Sequence, residues 1–133
     1  KRAFLLHWKM ILPPAVNMIG LLFLLAGAIL HIWTIRLLGI GIIGVPEVIG
    51  KAKAAVVTHG PFSYVRHPTY LAHTMMFLGI FLITGVAAVG VVTIIDFIII
   101  NALVMPLEEK ELLERFGGDY RCYKKKVSRF FPQ

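Results

Sequence analysis

PTYLAHTMMFLGIFLITGVAAVGVVTIIDFIIINALVM, residues 68–105, decides the fold. It holds two apolar runs, 68–84 and 86–105, joined only by Gly85. Each run approaches the roughly 20 residues that cross a hydrocarbon core. So short a link predicts an antiparallel pair of transmembrane helices. Pro68 opens the first run, where its missing N–H leaves no gap in the hydrogen-bond ladder. The polar residues inside the runs are spaced informatively. His73 lies twelve residues before Gly85 and Asp96 eleven after it. At about 1.5 Å per residue they reach a similar depth. An intramembrane carboxylate is a functional candidate by default. The depth match instead predicts a structural hydrogen bond from Asp96 to His73 or Thr74.

Upstream, residues 15–35 are apolar apart from Asn17, His31 and Thr34, and form a further transmembrane helix. Gly20 and Gly27, two turns apart, give it a smooth stripe for close packing. No small-residue cleavage site follows, so the run does not read as a signal peptide. Residues 1–14 mix Lys1, Arg2 and Lys9 with Phe4 and Trp8 up to Pro13-Pro14. They are expected to be an interfacial helix or a truncated, partial fourth span. The chain begins at Lys1 rather than Met, which leaves room for a helix ahead of it. Residues 36–67 are broken by Gly39, Gly41, Gly44, Pro46 and Gly50. Irregular backbone of this kind belongs in water or along a protein cavity. Val56-Val57-Thr58 reads as extended and Gly60-Pro61 as a turn. Downstream, residues 106–133 are an amphipathic tail. Pro106 is expected to start a helix through Phe116, with Glu111 and Arg115 paired at i,i+4. Gly117-Gly118 stops it, and Asp119 is expected to cap a second short helix.

The whole chain agrees. Of 133 residues, 58% are apolar and 16% charged, too apolar for a soluble domain of this size. The net charge of +7 points to anionic lipid headgroups, not nucleic acid. A lone Cys122 closes no internal disulfide, and the five histidines show no metal-ligand spacing. The hairpin puts loop 36–67 and tail 106–133 on one side. That side carries Arg36, Lys51, Lys53 and Arg66, then Lys110, Arg115, Arg121, Lys124, Lys125, Lys126 and Arg129. The positive-inside rule makes it cytoplasmic. The expected fold is an all-α integral membrane protein, a single domain of three transmembrane helices with a cytoplasmic helical tail. Lys124 to Lys126 read as a headgroup-facing surface.

Two polar clusters, some forty residues apart, should meet on that face: Arg66-His67-Pro68-x-Tyr70 and Glu108-Glu109. Arg66, His67 and the free N–H groups of the helix start suit a carboxylate. Either glutamate suits an ammonium group or ribose hydroxyls. Tyr70 suits a sulfonium or an adenine ring.

GPFSYVRHPTYLA (60–72) followed by PLEEKELLERFGGDYRCYKKKVSRFFP (106–132) resembles the isoprenylcysteine carboxyl methyltransferase family, to which membrane phospholipid methyltransferases are related. The resemblance covers roughly residues 37–132 and keeps the family's motifs in order. It implies S-adenosylmethionine as cofactor and methyl transfer to a lipophilic acceptor, a carboxylate, thiol or amine, at the cytoplasmic face. It carries cofactor contacts onto Arg66, His67, Tyr70, Glu108 and Glu109, places Tyr120 and Tyr123 over the pocket, and makes His67 and Glu109 the catalytic candidates. Two positions depart from the family. Ala72 stands where glycine is common, which would narrow the cofactor's approach. Val104 stands where isoprenylcysteine enzymes carry an arginine, which argues against an isoprenylcysteine carboxylate as substrate. The competing readings are a sterol-reductase-like NADPH enzyme, since such reductases share an Arg-His-Pro-x-Tyr-like element, and a non-catalytic membrane scaffold.

Overall fold

The computed structural model describes residues 8–38 and 56–130. In chain order these form α1 (Pro14–Leu38), a 3₁₀ turn (Gly60–Ser63), α2 (Pro68–Thr84), α3 (Ala87–Ile99), a π turn (Ile100–Val104), α4 (Met105–Phe116) and α5 (Gly118–Lys126). Among the described residues there is no strand, and isolated bridges join Lys9 to Val86 and Val65 to Ser128. The glycine-rich break at residues 39–50 lies outside the described residues.

The expected glycine stripe on α1 meets α2 in antiparallel contact. A Cβ on Gly20 would stand 2.9 Å from the Gly79 carbonyl oxygen, and one on Gly27 would stand 2.8 Å from that of Ala72. Gly79 answers in kind, since a Cβ there would come within 2.7 Å of the Gly20 carbonyl oxygen. Small residues on both helices thus let the backbones approach, which is how helices gain dispersion contact where lipid offers no hydrophobic drive. Ala72, fully buried, belongs to this helix–helix contact. Its expected effect on a cofactor's approach is therefore corrected.

Gly85 makes the turn between α2 and α3 in the left-handed region, at φ 64, which glycine adopts without a Cβ clash. Its carbonyl accepts from the Met10 N–H at 2.8 Å, and the Ala87 N–H donates to Trp8 at 2.9 Å. Residues 8–13 are therefore not helical, contrary to the helix expected over 1–14. Their backbone groups are taken by the hairpin turn, and Pro13-Pro14 pushes the preceding residues towards extended backbone. Residues 1–7 lie outside the described region.

Pro106 does not start a new helix. α3 runs on through the π turn into α4 as one 30-residue helix, Ala87–Phe116. The Met105 N–H reaches back five residues to Ile100. This wider turn accommodates a proline that lacks an N–H and whose ring would crowd the carbonyl four residues earlier. Glu108 and Glu109 consequently project from the same rod that carries Asp96. Among the described residues, that rod and α1 are the helices long and apolar enough to cross a membrane; α2, at 17 residues, is shorter. Their outer faces expose Leu22, Ile29, Ile94, Ile98 and Leu103. A continuous apolar surface of this kind suits lipid rather than water.

At the opposite end from Gly85, Phe62, Tyr120 and Tyr123 form a small core, joined by Leu112, Leu113, Phe116 and Val127. Gly117, at φ 55, ends α4 and occupies the N-cap position of α5. Asp119 sits in the first turn of α5 rather than capping it. Along α4 the ion pair joins Lys110 to Glu114 at 4.0 Å, while Arg115 lies over the Phe116 ring instead of pairing with Glu111.

Candidate functional site

The residues just before α2 are pinned by the tail. The Arg66 N–H donates to the Ser128 carbonyl at 2.8 Å, and the Tyr123 hydroxyl donates to the Phe62 carbonyl at 2.6 Å. These two bonds close the tail over the start of α2, directly opposite the first turns of α4.

Glu109 occupies the centre, only 2% exposed. Its Oε1 lies 3.1 Å from His67 Nε2 and 3.4 Å from Arg66 Nη2. Arg129 forks across the carboxylate, with Nε 3.1 Å from Oε1 and Nη2 3.3 Å from Oε2. Lys124 Nζ completes the nest 2.7 Å from Oε2. Burial pushes the carboxyl pKa up, but bonds from Arg129, Lys124 and His67 and the charge of Arg66 outweigh it and hold it at about 2. Glu109 is therefore a permanent anion, and its desolvation is offset by paired cations rather than water.

His67 is almost fully buried, with Nδ1 3.6 Å from Glu108 Oε2. Both ring nitrogens thus face carboxylates. The Tyr70 ring lies 5.8 Å from the imidazole. Tyr120 and Tyr123 stand 6.0 Å apart, ring to ring. Burial raises both phenols to about 12, helped at Tyr120 by the charge of Glu109 and at Tyr123 by Tyr120. Both therefore remain donors throughout the physiological range. Phe130, next to Arg129, stacks on Phe97 of α3 with centroids 6.2 Å apart.

Several buried polar atoms have no hydrogen-bond partner: Arg66 Nε and Nη1, Tyr120 Oη, Ser128 Oγ and Glu108 Oε2. A buried group left unpaired costs about 1–3 kcal/mol. Such a cluster on one wall points to a polar ligand that supplies the missing partners.

All seven residues expected at the site gather at this end of the molecule. Glu109 is central, whereas the Glu108 side chain is 41% exposed. Sequence reasoning missed Lys124, Ser128 and Arg129. The reading of Lys124 as a headgroup-facing residue is corrected, since its ammonium sits on Glu109. A signal existed: Lys124 follows Tyr120 by four residues and so shares its helix face. Nothing comparable marked Arg129, whose position depends on how the chain leaves α5.

A family model described as phospholipid methyltransferase matches residues 16–119. The chain is 30% identical over 84 residues to the cobalt-zinc-cadmium resistance protein CzcN of Cupriavidus metallidurans, covering 63% of this chain and 38% of that protein. It is 36% identical over 73 residues to methanethiol S-methyltransferase 1 of Bradyrhizobium diazoefficiens, covering 53% of this chain and 24% of that one. The matched stretch is thus well under half the length of either relative. No solved structure gives a significant match.

Proposed function

We propose, from the premise that the chain belongs to the phospholipid methyltransferase family, that it forms the donor site of an integral membrane methyltransferase using S-adenosylmethionine. The acceptor is a lipophilic small molecule or a lipid-linked group, presenting a thiol, amine or carboxylate at the cytoplasmic face. α1, α2 and the apolar part of the long helix, up to residue 105, cross the bilayer. The basic loop and tail lie in the cytoplasm.

The observation that carries this reading is the buried Glu109 with its ring of cations, beside polar atoms that lack partners. The donor is a zwitterion with a sulfonium, and the residues present fit it. Arg66 offers two unpaired nitrogens and Ser128 a hydroxyl for a carboxylate. Glu108, whose Oε2 lacks a hydrogen-bond partner, suits an ammonium or ribose hydroxyls, Glu109 holds the surrounding cations in place, and Tyr70 offers a ring face for positive charge. When bound, S-adenosylmethionine supplies an activated methyl group with a neutral leaving group. The protein's task is then to orient the acceptor and exclude water. Tyr120 and Tyr123 roof the site, and His67 and Glu109 are the residues nearest the chemistry. A methyltransferase among the relatives supports this reading over a reductase.

The test is equilibrium binding to the detergent-solubilised protein. S-adenosylhomocysteine should bind saturably and NADPH should not. Binding of NADPH alone would favour the reductase reading, and binding of neither would favour a scaffold.

A further inference from the structure

A second histidine–carboxylate pair lies deeper in the seam between α2 and the long helix, and the donor site does not use it. His73 Nε2 stands 3.3 Å from Asp96 Oδ2. Resting on the methyltransferase reading above, we infer that this pair is the acceptor-side base of the reaction, and that the acceptor is a lipophilic thiol.

Four observations carry the inference. First, the pair is open: the His73 and Asp96 side chains are 38% and 32% exposed. A carboxylate near the middle of a spanning helix costs about 2.5–3.5 kcal/mol, whereas polar contacts between such helices return about 0.6 kcal/mol on average. A structural contact alone does not offset an Asp there. Second, the pair lies fewer than two helical turns from the donor site. His73 lies six residues beyond His67, about 9 Å along the helix axis, and Phe130 of the tail covers Phe97, the residue after Asp96. Third, His67 cannot serve a substrate in the same way, because both its nitrogens face glutamates. His73 turns Nε2 to Asp96 and leaves Nδ1 for a substrate. Fourth, the surroundings select the acceptor. A carboxylate needs no base, and an ammonium would have to carry its charge into an apolar seam, while a thiol enters neutral.

The step balances. The acceptor sulfur forms a bond to the methyl carbon as the donor's carbon–sulfur bond breaks, its electron pair staying on the donor sulfur. The thiol proton passes to His73 Nδ1, and Asp96 stabilises the imidazolium until the proton returns to water.

Two probe thiols test this: 1-dodecanethiol, protonated at neutral pH, and 4-nitrothiophenol, already a thiolate there but with its charge spread over the nitroaryl ring, which lowers the cost of leaving water. In His73→Gln, turnover of dodecanethiol should fall about 100-fold, the low end for general-base catalysis. Turnover of 4-nitrothiophenol should change less than about threefold. S-adenosylhomocysteine affinity should stay within about twofold, since the donor site is intact. Asp96→Asn should show the same pattern more weakly. In donor-free protein with labelled histidine, dodecanethiol should shift the ring resonance that His73→Gln removes. Equal losses for both thiols, no loss for either, or no resonance shift would overturn the proposal. So would wild-type protein that binds S-adenosylhomocysteine yet methylates neither thiol. Failure of wild-type protein to bind S-adenosylhomocysteine at all would overturn the methyltransferase reading itself, and this proposal with it.

Discussion

Among the described residues, two histidines meet carboxylates of the same long helix, His67 at the tail-covered start of α4 and His73 deeper in the seam, and the two settings differ. His67 and Glu109, both buried, meet at 3.1 Å beneath Arg66, Lys124 and Arg129. His73 and Asp96 meet at 3.3 Å with both side chains about one-third exposed along the apolar seam. The difference lies in what surrounds each carboxylate. Glu109 is over-supplied with positive charge, so it stays ionised and gathers polar side chains around it. Asp96 meets His73 alone among the described residues and keeps about a third of its side chain exposed, so it has room for a further contact.

That comparison can be broken most sharply at Glu109. Glu109→Gln should weaken S-adenosylhomocysteine binding by about 100-fold and destabilise the fold by about 3 kcal/mol, because the buried Arg66 and the partly exposed Lys124 and Arg129 lose their counter-charge. Calorimetry and thermal unfolding in detergent read the two effects, and an unchanged affinity would detach Glu109 from the donor site. Gly27→Leu comes next. Its side chain would press on the Ala72 carbonyl and on Met76, so thermal stability should fall by about 1–3 kcal/mol, with both pairs failing together. Tyr123→Phe, which orphans the buried Phe62 carbonyl, should cost about 1 kcal/mol and loosen the tail over Glu109 while leaving the seam pair alone. Hydrogen exchange confined to the tail would confirm it.

Acid should separate the pairs as well. A carboxyl whose folded pKa is depressed stabilises the fold fully above its ordinary value of 4.5, and that stabilisation is lost as pH falls through about 2. Unfolding midpoints should thus hold steady above pH 4.5 and decline below it, and Glu109→Gln should flatten that decline. The smallest effect belongs to the exposed Lys110–Glu114 pair. Lys110→Ala should change stability by less than about 0.5 kcal/mol, and a larger loss would mean that this surface pair contributes more than an exposed ion pair should.

Much of this was legible in sequence because it depends on periodicity and chain reversal. One glycine between two apolar runs dictates the hairpin, and counting outward from it places His73 beside Asp96 and Arg66-His67 beside Glu108-Glu109. The Gly20/Gly27 stripe is likewise a local spacing. What stayed hidden depends on tertiary compensation. Pro106 reads as a helix start, yet a π turn absorbs it, because continuing a lipid-facing helix keeps every nearby backbone group paired. Lys124 reads as a headgroup-facing charge, with only the helix face it shares with Tyr120 to suggest otherwise, and nothing local marks Arg129, because its place depends on a tail folding back to a carboxylate on α4.

The central claim is that the start of α2 and the tail-covered start of α4 build one donor pocket. Irradiation with methyl-labelled S-adenosylmethionine, followed by peptide mapping, tests it directly. Label should appear in peptides from both 60–72 and 106–129 and be displaced by S-adenosylhomocysteine. Label confined to one of these stretches, or found at residues 8–12 beside the Gly85 turn, would contradict the account.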